Sequence, residues 1–391
     1  MTQFFTSNAR IIITCNKRLS PYLQQEVVEL GFNPVRTFST GVELLGSIND
    51  CIRLNLNLRC ASQVLYSIKE FQANGPNDVY NNLQEIAWEK IISPEGYFSV
   101  TSNVNHPSIK TSLFANVRVK DAIVDRMRAK TGGRPDSGPE LDGTVVHLFW
   151  REEFAELFLD TSGETLAKHG YRKIPGKAPM LEALATATLL ATRWNRTSPF
   201  VNPMCGSSTI AIEAALLATD RRPGLFRNNY AFMHVVGYDK GVYESERQGL
   251  FQKIKDVEGL KIFASDISED AINISKINAG AAGVEHYITF SVCDFEQTEV
   301  PGEEGGVVFF NPEYGDRLGV EVELQDTYAR IGDFLKKRCK GYTGYIFTGN
   351  LELAKKIGLK AKRRIEFFTS KIDCRLLEYE LYAGTRSNPG S

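Results

Sequence analysis

The strongest constraint on this chain is a run of four β-forming apolar residues, Val307–Phe310, that ends without a break on Asn311-Pro312-Glu313-Tyr314. Two glycines, Gly305 and Gly306, lead into it. A continuous apolar run of this length between turn residues is the pattern of a strand buried on both faces, as in a parallel sheet covered by helices. In an open parallel α/β sheet, ligands bind in the crevice beyond the carboxyl ends of the strands. At that edge Asn311 offers an amide acceptor, Pro312 fixes one φ of the turn, and Tyr314 supplies a flat ring. Such a set suits gripping a planar base whose exocyclic amine is to react. It equally suits a plain strand-end turn with an aromatic packed into the core, and these residues alone do not separate the two.

The chain upstream repeats the theme. A short strand at Phe200-Val201 runs through Asn202-Pro203-Met204-Cys205-Gly206-Ser207-Ser208-Thr209 into a helix predicted over Ile210–Ala218. Strand, small-residue turn and helix N-terminus bring backbone N–H groups close to a ligand. The turn is neither G-x-G-x-x-G nor a Walker A loop, which needs G-K-[ST]. Lys261–Asp266 reads as a second strand ending in an acid, placed to accept hydrogen bonds from ribose hydroxyls. A helix over Ser268–Ala279 follows, then a third strand, Tyr287–Val292, with Asp294 and Phe295 after it. Beyond Tyr314 the pattern predicts a helix over Leu324–Lys337, a strand over Tyr342–Phe347, a helix over Leu351–Ile357 and a closing strand over Cys374–Tyr382. From residue 196 the alternation is βαβα, the signature of a doubly wound α/β sheet.

Before residue 196 the chain reads as small α+β units. Ile11–Asn16 is expected as a strand and Pro21–Leu30 as an amphipathic helix stopped by Gly31. Val42–Ile48 and Ile52–Leu58 resemble strands around Asn49-Asp50, and Cys60–Phe71 has helical spacing. His106–Lys130 mixes helical periodicity with cations, and Val145–Trp150 and Glu156–Asp160 read as a strand pair. Between His106 and Arg134 seven Lys or Arg, among them Lys110, Arg118, Lys120, Arg126 and Arg128, face two acids. That surplus describes either a solvated helix face or a contact to RNA phosphates, whose binding falls steeply with salt. His169–Lys177 is a basic, Gly/Pro-broken linker, and Ala178–Trp194 is expected as a helix with Pro179 in its first turn.

Composition narrows the class. At 391 residues the chain has room for two or three domains. The seven cysteines are scattered and never spaced C-x-x-C, and the five histidines lack metal spacing. Reduced thiols, a cytoplasmic setting and no metal site are therefore expected. No apolar run reaches membrane-span length. A formal net charge of −1 leaves nucleic-acid binding to local patches.

Taken together, Phe200–Ala215 (FVNPMCGSSTIAIEAA), the acids at 266 and 294, and Asn311–Gly315 (NPEYG) resemble class I S-adenosylmethionine-dependent RNA methyltransferases that carry a THUMP domain, close to the rRNA guanine-N2 enzymes. Members of that family have [DN]-P-M-C-G-S-G-T-[IL]-x-I-E-A-A and N-P-P-Y-G-x-R. Asp160–Ala185 is similar to the segment that joins THUMP to methyltransferase in the family. The resemblance implies a ferredoxin-like domain over residues 1–60, a THUMP RNA-binding domain over 61–165, a linker helix over 166–195 and a Rossmann-like methyltransferase domain over 196–391. It implies a cofactor pocket of Asn202, Cys205, Gly206 and Ser207 under the methionine moiety, Asp266 on the ribose and Asp294 near the adenine amine. Asn311, Pro312, Glu313 and Tyr314 would form the catalytic edge. An antiparallel last strand is part of the family fold, and structured RNA, rRNA or tRNA, is the implied partner.

Two residues depart from the family pattern. Ser208 stands at the second glycine of G-S-G, where it either crowds the loop or occupies a position tolerant of φ < 0. Glu313 replaces the second proline of N-P-P-Y. It points to solvent and caps the next turn, accepts a hydrogen bond from the guanine edge, or marks a weakened enzyme. The rival readings are an RNA-binding or ribosome-assembly factor that no longer catalyses, and an amino-methylating enzyme acting on DNA adenine or protein glutamine.

Overall fold

The computed structural model describes residues 3–302, 305–314, 321–369 and 372–382. The chain divides into two compact units. One is built from the residues up to Asn16, Leu23–Ala167 and Pro223–Gln252; the other from Lys17–Tyr22, Lys168–Arg222 and the residues from Lys253 on.

The first unit carries α1 (Gln3–Thr6), β1 (Ala9–Thr14), α2 (Ser20–Glu29, its first residues lying in the second unit), β2 (Arg36–Phe38), β3 (Gly41–Gly46), α3 (Ile48–Asn57), β4 (Gln63–Gln72), α4 (Pro76–Gln84), β5 (Tyr97–Asn105), α5 (Ser112–Thr131), β6 (Asp136–Ser137), β7 (Thr144–Arg151) and β8 (Phe154–Asp160). Its eight strands form one mixed sheet in the order β2-β3-β1-β4-β8-β7-β5-β6.

Two expectations fail here. Ile52–Leu58 is not a strand but part of α3. Its alternation of Ile52, Leu54, Leu56 and Leu58 with polar residues mimics a period of two, yet a capping box starts a helix just upstream. Ser47 Oγ accepts from the Asp50 N–H at 3.3 Å, and Asp50 Oδ2 accepts from the Ser47 N–H at 2.7 Å. The intervening asparagines are buried with their amide donors paired: Asn55 Nδ2 donates to the Cys51 carbonyl and to Thr161 Oγ1, both at 2.8 Å. Cys60–Phe71, in turn, is not a helix. Most of it is β4, paired with β1 on one side and β8 on the other. Central sheet pairing overrides a weak local period.

The second unit continues with α6 (Glu182–Ala191), β9 (Phe200–Pro203) and α7 (Thr209–Ala218). Pro179 lies ahead of α6, which starts after Leu181, so the expected helix is shorter at its N-terminus. Pro223–Gln252, including α8 (Lys240–Gln252), belongs to the first unit. There Ala231 N–H and Phe232 N–H donate to the Ser162 and Thr161 carbonyls, and Arg227 donates to the Thr165 and Glu164 carbonyls. The second unit resumes with β10 (Ile262–Asp266), α9 (Glu269–Ala282), β11 (Ile288–Val292), β12 (Val307–Phe310), α10 (Glu321–Arg338), β13 (Thr343–Thr348), α11 (Leu351–Lys355), β14 (Arg363–Thr369) and β15 (Ile372–Glu380).

These seven strands run in the order β11-β10-β9-β12-β13-β15-β14. The first five are mutually parallel, while β15 is antiparallel to both neighbours. The closing strand expected at Cys374–Tyr382 is therefore one arm of a hairpin whose other arm, β14, left no sign in the periodicity. Val201, Val308 and Phe310 face a core built with Tyr328, Ile331, Phe334 and Leu335 of α10. Alternate residues face the other way, where Phe200 stacks on Phe309 at 6.3 Å and Phe309 on Tyr345 at 6.4 Å. No helix among the described residues is long and apolar enough to cross a membrane.

Candidate active site

Because β9 through β13 and β10 through β11 are parallel, their carboxyl ends lie along one edge. β9 pairs with β10 on one side and with β12 on the other, so the strand order reverses at β9. That switch point is where open α/β sheets leave a crevice. Asn202, one residue from the end of β9, is 1% exposed and donates through Nδ2 to the Phe309 carbonyl of β12 at 2.8 Å. Its Oδ1 is buried and makes no hydrogen bond among the described residues. A buried acceptor of this kind calls for a donor that the protein does not supply.

The turn after β9 is folded by alternating left-handed residues: Met204 (φ +53°), Gly206 (φ +55°) and Ser208 (φ +56°). Ser208 is therefore not at a position of negative φ; it is fully buried in a conformation that favours glycine, and its hydroxyl caps nothing. The turn is laced to its neighbours. Cys205 N–H donates to the Ser265 carbonyl at 2.9 Å, Gly206 N–H to Asp266 Oδ2 at 2.9 Å, and Ser275 Oγ of α9 to the Gly206 carbonyl at 3.0 Å. Burial pushes the Cys205 thiol up to about 12, so it stays protonated and is no nucleophile at neutral pH.

Asp266 braces the crevice rather than merely lining it. Its Oδ2 takes Gly206 N–H, and its Oδ1 takes Ser268 N–H at 3.0 Å. Each carboxylate oxygen has a second lone-pair site, so hydroxyl donors can still be accepted. Beside it Ile267 is 74% exposed, an apolar side chain held in the open at the end of a parallel strand. Sequence reading passed over it because one Ile beside an acid carries no periodic signal.

Asp294 follows β11 and uses Oδ1 twice, accepting from Glu296 N–H at 3.0 Å and from Arg330 Nη2 at 2.8 Å. Burial works to raise its pKa, but the Arg330 hydrogen bond and the Glu296 amide outweigh it and hold the carboxyl below its usual range. Arg330 also pairs with Glu296 at 2.7 Å and lies 4.8 Å above the centre of the Phe295 ring. Phe295 itself is buried, edge-on to Phe310 and Phe334, so it is a core residue under the acid. Arg330 is a functional candidate that spacing could not reveal, since it stands 36 residues from its partner.

At the end of β12, Asn311 is half-buried, Pro312 is buried, Glu313 is exposed and Tyr314 is half-buried. The Asn311 amide makes no side-chain hydrogen bond among the described residues. The Gly315–Gly319 part of the motif, and any cap it forms with Glu313, lies outside the described residues.

The linker motif has a structural task. His169 Nδ1 and Glu213 Oε1 are 2.8 Å apart with both side chains fully buried, and Thr186 Oγ1 donates to Glu213 Oε2 at 2.7 Å. Arg172 donates to Glu182 at 3.2 Å, to the Met180 carbonyl at 2.8 Å and to Thr209 Oγ1 at 3.0 Å. The H-G-Y-R and I-E-A-A residues thus hold the linker to α6 and α7. Lys173 and Ile174 N–H groups donate to Asn278 Oδ1, and a side chain at Gly176 would come within 3.0 Å of Ser207 Cβ.

The cation cluster is only partly what its charge suggested. Lys110 and Arg128 are exposed and Lys120 half-exposed, each without a side-chain ion pair among the described residues. Arg126 is instead committed inside the unit, donating to Glu89 Oε1 at 3.0 Å and to the Gln84 carbonyl at 2.8 Å. Arg118 lies over Tyr80 at 4.7 Å and donates to Asn77 Oδ1 at 3.0 Å. Glu89, 37 positions away, neutralises one of these cations, and neutral acceptors 41 and 42 positions away hold Arg118 and Arg126 in place. Among the described residues no cluster of His, Cys, Asp or Glu could hold a metal ion.

Comparison with known proteins gives three family matches: an RlmL ferredoxin-like domain over residues 10–65, a THUMP domain over 74–160, and an RMKL-like methyltransferase domain over 169–378. The chain is 34% identical over 383 residues to a ribosomal RNA large subunit methyltransferase K/L of Syntrophotalea carbinolica, covering 95% of this chain and 53% of that one. It therefore spans about half the length of that relative. It is 32% identical over 382 residues to a Synechocystis sp. chain named for RNA methyltransferase activity, slr0064, covering 97% of this chain and 99% of that one. Among solved structures it is similar to an N6-adenine-specific DNA methylase predicted for Listeria monocytogenes str. 4b F2365. The identity there is 28%, the TM-score 0.86, and the coverage 96% of this chain and 97% of that one.

Proposed function

The chain belongs to the RMKL-like methyltransferase family, in the arrangement with ferredoxin-like and THUMP domains ahead of the methyltransferase domain, and on that premise we propose that it transfers methyl from S-adenosylmethionine to the exocyclic N2 amine of a guanosine in large-subunit ribosomal RNA. The observation that carries the reading is the Asn202 side chain, whose hydrogen bond to the Phe309 carbonyl sets the turn after β9 beside the Asn311 turn after β12. One turn suits a methyl donor and the other an amine, with no strand between them.

The residues present fit the cofactor. The buried, unpartnered Asn202 Oδ1 suits an ammonium donor, Asp266 retains acceptor sites for ribose hydroxyls, Ile267 offers an apolar face, and Asp294 Oδ2 makes no hydrogen bond among the described residues, leaving it for an adenine amine. Cys205, Gly206 and Ser207 form the floor. When bound, S-adenosylmethionine supplies an electrophilic sulfonium methyl.

The protein's share of the work is acceptance and alignment. A guanine N2 lone pair is delocalised into the ring and poorly nucleophilic. Accepting its N–H protons on Asn311 Oδ1 and the Pro312 carbonyl favours a pyramidal nitrogen. These bonds strengthen as positive charge builds on nitrogen, which is binding selective for the transition state. Alignment in one crevice accounts for much of the rest. A strong base is not needed, because the product ammonium is acidic. Stacking on Tyr314 returns ~1–3 kcal/mol, which offsets a good part of the few kcal/mol needed to flip a paired nucleotide.

The first unit, through Lys110, Lys120 and Arg128, supplies cations for a structured RNA in the cytoplasm, where shape and phosphate position dominate recognition. An adenine N6 amine, the acceptor named for the Listeria neighbour, would fit the same amide and ring. Mass-spectrometric nucleoside analysis of rRNA, tRNA and DNA from cells lacking the gene decides. Loss of N2-methylguanosine from 23S rRNA is expected; loss of another methylated nucleoside, or of none, refutes the assignment.

A further inference from the structure

The turn between β13 and α11 is pinned on both sides of one glycine. Thr348 Oγ1 shares a 2.9 Å hydrogen bond with the Tyr328 hydroxyl and accepts the Asn350 N–H at 3.1 Å. Asn350 Oδ1 in turn accepts from Glu352 N–H at 3.1 Å and Leu353 N–H at 3.0 Å, capping α11. Gly349 sits between them outside the left-handed region, so its backbone conformation does not require glycine. Space does. A Cβ there would lie 2.6 Å from Ile372 Cγ2 and 3.0 and 3.1 Å from Cδ2 and Cε2 of Tyr314.

We propose that Gly349 is a positioning residue for the target base: its missing side chain is the slot that seats the Tyr314 ring. This rests on the reading of Tyr314 as the ring that holds the base. A side chain at 349 must displace something. The turn is fixed by Thr348 and Asn350, and Ile372 opens β15 with a β-branched side chain of restricted χ1. The 2.6 Å contact makes Ile372 or the turn shift, and Tyr314, just past the end of β12, must in addition give by a few tenths of an ångström, so the ring leaves its seat. A reacting partner misplaced by about 1 Å costs up to ~100-fold in rate.

The test uses Gly349→Ala, Tyr314→Ala, the double variant of these two, and Gly349→Ala combined with Ile372→Ala. Each is measured for tritiated methyl incorporation into total RNA from cells lacking the gene, for S-adenosylhomocysteine affinity by calorimetry, and for melting temperature. Gly349→Ala should lower kcat by ~10–100-fold while S-adenosylhomocysteine affinity stays within about threefold. In the Tyr314→Ala background the same change should add less than about threefold, because both act through one ring. The Ile372→Ala combination removes the closest contact, so it folds even where Gly349→Ala alone does not; it should stay impaired, because the ring contact persists. Additive losses, a fully active Gly349→Ala, or rescue by Ile372→Ala would each overturn the inference while leaving the site reading intact. A fully active Tyr314→Ala would overturn both.

Discussion

Replacing Ser208 with glycine should stabilise the second unit, although it removes a residue from the cofactor loop. Ser208 is fully buried at φ +56°, at the N-cap of α7 but without a capping hydrogen bond. An L-residue in this conformation costs roughly 1–2 kcal/mol. Glycine relieves that but gives up ~0.5–1 kcal/mol through the entropy of the unfolded chain. The net backbone gain is therefore about 0.5–1 kcal/mol. The Ser208 hydroxyl is also buried and makes no hydrogen bond among the described residues, and its removal recovers about 1 kcal/mol more. Ser208→Ala separates the terms, since alanine loses the hydroxyl and keeps the strain. Differential scanning calorimetry should place Ser208→Gly above Ser208→Ala, and Ser208→Ala above the parent. About 1 kcal/mol moves the midpoint of a unit of this size by roughly 2–4 °C. Cofactor affinity should stay within about threefold, because the backbone N–H groups keep their places. A glycine variant that melts below the alanine variant refutes the strain argument.

Other outcomes follow from single contacts. Asp266→Ala should abolish cofactor binding and also lower the melting temperature, since Gly206 and Ser268 N–H groups lose their acceptor; unchanged affinity in a titration would remove Asp266 from the pocket. Arg330→Ala should weaken cofactor binding several-fold, and Arg330→Lys should restore part of it; equal affinity in both variants and the parent would show that Asp294 needs no clamp. Burial raises Asp160 from 3.8 to about 6, against the Ser162 and Gly163 N–H groups, Gln63 and Arg227, and it lowers His147 from 6.5 to about 4. The raised acid costs stability as pH rises from about 4 to 6, whereas the depressed histidine costs stability as pH falls from 6.5 to 4, each by about 3 kcal/mol at most. The two terms oppose each other in one sheet. Relative to the parent, Asp160→Asn should therefore become more stable as pH rises from 4 to 6 in urea titrations, and His147→Gln more stable as pH falls from 6.5 to 4; profiles parallel to the parent's would rule out both.

The methyltransferase half was readable because its signals are local. Val307–Phe310 is apolar enough to need cover on both faces, and each strand end carries its polar residues within a few positions, so Asp266, Asp294 and Asn311 could be set on one edge from chain order. Long-range contacts decided the rest. Ile52–Leu58 alternates like a strand but is a helix, because the Ser47–Asp50 box nucleates it and Thr161 Oγ1 accepts from the Asn55 amide. Arg126 counted as a binding cation until Glu89 claimed it. The placement of Pro223–Gln252 in the first unit, the Arg330 clamp on Asp294 and the fit of Tyr314 against Gly349 depend on groups brought together from 35 or more residues apart. Periodicity and caps act over one or two turns of chain, so they determined which elements form and where the reacting edge lies. Which side chains at that edge are held, neutralised or left open is a property of packing, which only the folded chain supplies.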